Sequence, residues 1–282
     1  MVVRFYRSKW GTASIIILLV LLAMFMALPL IYTVVTAFKP IDELFLFPPR
    51  FYVMRPTLKN FNDLFSAMGQ SFVPFTRYLF NSIFVSIVGT IGHVVFASMA
   101  AYPLAKHRFP GHKWMFNLII IALMFNPYVM GIPRFIVLSK LGWLDDYKSI
   151  IFPLMAGALG LYLMRQFMIQ IPDSYIESAR IDGASESKIL WSIVMPMVKP
   201  AWLTLILLAF RDFWQDGSAG LYIHYEAMKT LPLTIGYVTT GGIMRAGAAA
   251  AAGLLTMLPP ILIFILTQSN VIETMKSSGI TE

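Results

Sequence analysis

The run GTASIIILLVLLAMFMALPLIYTVVTAF, residues 11–38, holds 28 residues without one Asp, Glu, Lys or Arg. A helix rises about 1.5 Å per residue, so about 20 apolar residues cross a hydrocarbon core roughly 30 Å thick. Lipid offers no partner to a backbone N–H or C=O, which leaves helices and closed barrels as the ways across. Four further stretches share this character: Tyr78 to Ala105 (28 residues), Trp114 to Pro133 (20), Lys148 to Arg165 and Ala246 to Ile272 (27). A sixth, from Pro200 to about Tyr222, is interrupted by Arg211, Asp212 and Asp216. The expectation is an all-α polytopic membrane protein of one domain, with spans near 12–37, 80–105, 114–138, 149–168, 201–222 and 247–270. An outer loop at 38–79 and an inner one at 169–199 complete it.

Composition agrees with a membrane as solvent. The chain of 282 residues is 58% hydrophobic and 13% charged, with a mean hydropathy of +0.71, outside the usage of soluble domains. No alternation over nine to eleven residues suggests an outer-membrane barrel. The net charge of +8 fits lysine and arginine at a cytoplasmic face better than a nucleic-acid partner, which is not expected. Without cysteine the chain has no disulfide or thiol chemistry. Arg4, Arg7 and Lys9 ahead of the first run resemble the start of a signal peptide, but the run is long and lacks a convincing small-x-small site, so it reads as a retained span.

Basic residues orient the spans. Three lie in the first twelve residues, and Lys106, Arg108 and Lys113 in the eight-residue loop KHRFPGHK, which places both termini in the cytoplasm. The outer segment 39–77 carries Pro40, Pro48, Pro49, Pro56 and Pro74 among aromatics and reads as an extended loop on the outer membrane face. No GxxxxGK[ST] occurs, so any ATP and Mg belong to a partner.

The inner stretch IPDSYIESARIDGASESKILWSIVMP, 171–196, reads as helix, break, helix. Ser174 three before Glu177 forms a capping box, Gly183 suits the left-handed residue that ends a helix, and Ser185 caps the next, with Glu186 in its first turn. As residues alone, these features also describe an amphipathic hairpin on the membrane surface, with Glu177 capping its own helix.

The stretch resembles the cytoplasmic loop of binding-protein-dependent ABC importer permeases, whose pattern is Glu-Ala-Ala, a Gly four residues on, and Ile-x-Leu-Pro downstream. Glu177, Ala179, Gly183, Ile193 and Pro196 match it. SARIDGAS at 178–185 is similar to the carbohydrate-uptake permeases related to the maltose permease small subunit, as are TAFKP (36–40), NSIFVSIVGT (81–90), MAAYPLAKHRFPG (99–111), IPDSY (171–175) and the closing TQSNVIETMKSSGI. Ser178, Met195 and Trp214-Gln215 depart from the usual Ala, Leu and Trp-Asn. The resemblance implies a subunit of a bacterial or archaeal inner-membrane importer for a sugar or oligosaccharide, itself no enzyme. Its implied partners are a second permease, two ATPase subunits and an extracytoplasmic sugar-binding protein. The loop Glu177, Ser178, Ala179, Arg180, Ile181, Asp182, Gly183, Ala184, Ile193, Met195 and Pro196 would then dock on the ATPase, with Ala179, Ile181 and Gly183 supplying shape and buried contact.

An ionisable residue inside a span is costly and faces a cavity or a partner. Arg134, Arg211, Asp212 and Asp216 are therefore substrate-path candidates, with Trp214 stacking on a sugar face and Gln215 bonding hydroxyls; Asn126 and Tyr128 flank a polar interruption. Equally, Arg211 and the Asp residues would serve by pairing with the second permease. Asp212 and Asp216 share a helical face and repel unless that face is hydrated or the helix breaks at Gly217–Gly220. Tyr237, Thr239, Thr240, Gly241 and Gly242 would face the binding protein; read alone, the segment is a flexible Gly-rich connector. His93, His107, His112 and His224 are scattered, so no metal site is expected, and His107 and His112 read as surface residues. An ion-driven secondary transporter, the other functional class, predicts inverted repeats, which the two halves do not show.

Overall fold

The computed structural model describes residues 9–69, 73–125, 129–239, 242 and 245–278. These form helices without a strand among them, in two compact units: residues 1–70 with 237–255, and 71–236 with 256–282.

In the first unit, α1 (Lys9–Ala37) leads to α2 (Ile41–Leu44) and α3 (Lys59–Gly69). The span Trp10–Ala37 has a mean hydropathy of 2.9 and no buried residue in its most apolar window. A helix apolar all round belongs in lipid or against another protein. The outer loop is not wholly extended, because α3 occupies 59–69. Polar groups brace what remains. Lys39, 2% exposed, donates through Nζ to the Arg50 carbonyl. The Glu43 carboxylate accepts from the N–H groups of Met54 and Arg55, each at 3.1 Å. Asn60 Nδ2 donates to the carbonyls of Ala37 and Lys39 at 3.0 and 2.6 Å. Prolines leave this loop short of internal donors, and buried side chains replace them.

The second unit contains α4 (Phe75–Lys106), α5 (His112–Met124), α6 (Gly131–Lys140), α7 (Lys148–Met155), α8 (Ala158–Ile169), α9 (Asp173–Ile181), α10 (Glu186–Met197) and α11 (Lys199–Trp214). Next come α12 (Leu231–Thr239) and α13 (Ala246–Ser278), which pass between the units. Four helices are long and apolar enough to cross a membrane: Trp10–Ala37, Phe75–Lys106, Lys148–Ile169 and Ala246–Gln268. A fifth crossing is available from α10 and α11, which meet at 84°. The continuous helix expected over 114–138 is replaced by the 13-residue α5 and the 10-residue α6. Thirteen residues reach only about 20 Å, short of the hydrocarbon core.

Helix α4 is central to this unit. Val94, Ala97, Ala101 and Tyr102 pack with Met164 and Met168 of α8, Ile176 and Ala179 of α9, Ile189, Leu190 and Val194 of α10, and Ala201 and Leu205 of α11. Nearer its N-terminus, Val85 meets Ile150 and Ile151 of α7 and Ala209 and Phe213 of α11. Small residues set the closeness: a Cβ on Gly89 would lie 2.3 Å from the Phe213 ring. Between α7 and α8, Gly157 and Gly160 leave room for the His93 ring, whose Nδ1 is 2.8 Å from the Met155 carbonyl.

The α10–α11 corner is braced. A π turn over Leu190–Val194 precedes Pro196, which has no N–H to give a regular α ladder. Val198, 2% exposed, sits at the bend, and Trp202 Nε1 reaches back to the Met195 carbonyl at 3.0 Å.

Candidate functional site: the inner loop and the polar end of α11

The expected helix, bend and helix are present at 173–197, but the first helix begins differently from its sequence signal. Pro172, at φ −59°, occupies the N-cap and Asp173 opens the first turn. Ser174 is inside the helix, where its carbonyl accepts from Ser178 Oγ at 2.8 Å, so the Ser174–Glu177 capping box does not form. Proline presets the dihedral, and the Asp173 carboxylate complements the helix dipole. Lys106 Nζ, 2.8 Å away, holds that carboxyl below the usual carboxylate range.

The C-terminus of α9 closes as the glycine signal requires. Gly183 has φ +78°. Ala184 N–H donates to the Ala179 carbonyl at 2.9 Å, and Gly183 N–H to that of Arg180 at 3.0 Å. This pair of bonds is the Schellman arrangement, which a side chain at the left-handed residue would strain. Ser185 then caps α10, its Oγ accepting from Lys188 N–H at 3.4 Å.

Burial divides α9 into two faces. Ile176 and Ala179, three residues apart, enter the core of this chain. Ala179 therefore does not contribute to an outward docking face, contrary to the expectation that it and Gly183 both admit a partner. Glu177, Ser178, Arg180, Asp182 and Gly183 are exposed, and Ile181 is 86% exposed. Ala184 and Ile193 are half-buried and pack against the core; Met195 is buried within it, and Pro196 is exposed.

Two further polar groups secure α9, and neither was recognised from sequence. At its start, Lys106 bonds the Ile171 carbonyl as well as Asp173. At its end, Arg180 Nε donates to Glu186 Oε1 at 2.8 Å, and Tyr102 Oη donates to Glu186 Oε2 at 2.7 Å. His107 Nε2 lies 3.3 Å from that second oxygen, so His107 joins an ionic cluster instead of standing alone on the surface. Its ring is edge-on to Tyr102, with centroids 5.4 Å apart.

At the other end of the unit, α11 stops at Trp214, which separates Asp212 from Asp216. Asp216 Oδ1 accepts from Ser218 N–H at 2.9 Å and Ser218 Oγ at 2.6 Å, capping the turn Gly217–Leu221. Asp216 is thereby committed to the backbone. Trp214 is 1% exposed, and its Nε1 donates to the Thr256 carbonyl at 3.0 Å. Its ring is enclosed by the chain's own helices and cannot stack on a passing sugar. Arg211, Asp212 and Gln215 remain on the exposed side of α11, and Arg134 is half-buried on α6. Asn126 and Tyr128 lie outside the described residues.

Beyond α11, the chain is pinned where a flexible connector was one reading. Asp145, at φ +57°, accepts from the N–H groups of His224 and Tyr225. The two backbone donors, Tyr225 foremost, hold its carboxyl below the ordinary value. Asn81 Nδ2 donates to the carbonyls of Ala227 and Lys229 at 2.9 and 2.8 Å, and Tyr78 Oη to Glu226 at 2.9 Å. Tyr237 is exposed near the end of α12, and Gly242 has φ +78°. Thr239 ends α12; its side chain, Thr240 and Gly241 lie outside the described residues. Among the described residues no group of three or more His, Asp or Glu could hold a metal.

Residues 93–276, which include the inner loop, match the family described as binding-protein-dependent transport system inner membrane component. The chain belongs to that family. This inner-membrane component is 32% identical over 214 residues to the sn-glycerol-3-phosphate transport system permease protein UgpE of Yersinia enterocolitica, covering 74% of this chain and 76% of the relative. It is also 32% identical over 215 residues to UgpE of Escherichia coli O1:K1, covering 75% and 76%. Its fold matches a chain of a bacterial ABC transporter involved in the import of the acidic polysaccharide alginate, with a TM-score of 0.76 and 24% identity over 94% of this chain and 98% of that one. A chain of the bacterial alginate ABC transporter in complex with an alginate pentasaccharide-bound periplasmic protein matches with a TM-score of 0.59 and 15% identity, covering 91% of each. The inner-membrane component is thus a permease subunit of a binding-protein-dependent importer.

Proposed function

We propose that this permease takes ATP-derived force through α9 and passes a sugar or oligosaccharide along a path bordered by α11, with six crossings and both termini in the cytoplasm. The sixth crossing combines α5 with the polar interruption and α6. A second permease completes the path, two ATPase subunits bind ATP and Mg, and an extracytoplasmic binding protein delivers the substrate near Tyr237–Gly242. The observation that carries the reading is the Gly183 bend. It holds α9 with Ile176 and Ala179 anchored in the permease while Ile181 projects outward. An exposed isoleucine on a rigid, anchored helix suits insertion into a groove on another subunit.

Transport of an anionic substrate is the second reading. The relatives' names specify sn-glycerol-3-phosphate and the matching fold serves an acidic polysaccharide, and Arg211 is exposed on α11. Co-purification from membranes tests the importer reading: a second permease and an ATPase dimer should accompany the chain, with vanadate-sensitive ATP hydrolysis stimulated by the binding protein. Isolation without an ATPase would overturn it. Calorimetry with the binding protein then separates the substrate classes, since binding of neutral sugars alone removes the anionic reading.

A further inference from the structure

Helix α4 runs 32 residues, about 48 Å at 1.5 Å per residue, and both its ends are tied to functional segments. Its last turn holds both ends of α9: Lys106 binds Asp173 and the Ile171 carbonyl, while Tyr102 reaches Arg180 through the Glu186 carboxylate. Arg165 Nε adds α8 by donating to the Leu104 carbonyl at 3.0 Å. At the opposite end, Asn81 and Tyr78 hold residues 226–229, and Ser82 Oγ accepts from Leu231 N–H at 2.7 Å.

The sequence links α9 to its neighbours through 170–172 and 182–185 alone. The side chains add a lateral link to a helix more than 60 residues earlier. Lys106 is 4% exposed at its side chain, so its charge is committed to this joint. A buried ammonium or carboxylate without its partner is unfavourable, which makes such a cluster hold one geometry.

We propose that α9 and α4 move as one body, with Glu186 as the positioning residue that joins them, so that displacement of the inner loop reaches residues 226–231 on the opposite side. The inference rests on α9 receiving the ATPase stroke. A cluster satisfied in one arrangement gives a physical route for that coupling, which spatial order alone would not.

The test uses the complete transporter in liposomes, and the permease has no native cysteine to remove. Spin labels at Ser174→Cys on α9 and Ile91→Cys on α4 report their separation by double electron–electron resonance, without nucleotide and after trapping with ATP and vanadate. The separation should be the same in both states. With Glu186→Gln or Tyr102→Phe it should shift on trapping, and stimulation of ATP hydrolysis by the binding protein should fall about tenfold, the lower range for losing a hydrogen bond to a charged group. Tyr102→Phe keeps the ring in the core and guards against misfolding as the explanation. A shift on trapping without either substitution overturns the proposal, as does a constant separation in both variants. Gly183→Val separates the two ideas: full stimulation in that variant sinks the α9 reading itself, whereas its loss alongside constant separations in Glu186→Gln and Tyr102→Phe sinks the joint alone.

Discussion

Trp214 Nε1 donates to the Thr256 carbonyl across 3.0 Å, fastening the end of α11 to α13. The indole fills space and satisfies a backbone oxygen inside the protein. Replacing it with alanine leaves both a cavity and an unpaired carbonyl, a loss of about 3–5 kcal/mol by the precedent of large core aromatics. Trp214→Phe should lose about 1 kcal/mol, the hydrogen bond alone. Thermal unfolding of the purified complex measures the order. Uptake by whatever Trp214→Phe protein is inserted should keep its KM, and a large rise in KM would restore a substrate role to the ring.

Gly183 offers a graded series. Asparagine tolerates a positive φ, alanine less, and valine least because its branched Cβ crowds the backbone. Stimulation of ATP hydrolysis by the binding protein should fall in the order Gly, Asn, Ala, Val. Since a Cβ there meets nothing within 4 Å, the order reflects backbone strain and not collision within the chain. Equal stimulation by Asn and Val variants would refute this.

Gly89 and Phe213 make a reciprocal pair. A methyl group at Gly89 would collide with the Phe213 ring, so Gly89→Ala should destabilise by about 1–3 kcal/mol. Phe213→Leu on its own leaves a gap. Combined, the substitutions should be milder than the sum of the two, because the smaller ring-free side chain admits the methyl. Thermal unfolding of the four proteins in the cycle checks this, and strict additivity would contradict direct packing.

Asp145 sets a pH dependence. Its folded pKa is depressed by the Tyr225 and His224 N–H groups, so its contribution is fully present above the unfolded value of about 3.9. It is lost as pH falls through the still lower folded value. Asp145→Asn tolerates the positive φ but accepts more weakly, so its deficit in thermal stability should be constant from pH 7 to about 5 and shrink below about 4. A deficit that grows on acidification would assign the wrong sign.

Hydropathy runs were sufficient for α1, α4, 148–169 and the start of α13, because insertion in lipid is decided residue by residue along a helix. Gly183 and Ser185 were equally legible, since a left-handed residue and an N-cap are local chemistry. The division of 114–138 into α5 and α6 was hidden by a composition that stays apolar throughout. Trp214, read as a sugar platform, could not be assigned a face without knowing where α13 lies. The Tyr102–Glu186 bond joins residues 84 positions apart, a separation at which no periodicity carries information; Glu186 signalled only its service to α10. In the same way Asp173 displaced Ser174 at the start of α9 because Lys106 was within reach.

The 84° corner between α10 and α11, closed by Val198 and the Trp202–Met195 bond, works as a bell crank. A stiff angle turns a push along one arm into a swing of the other. A sideways pull on α10 of a few ångströms at the membrane surface becomes a tilt of α11, and the exposed Arg211, Asp212 and Gln215 at its far tip sweep the longest arc.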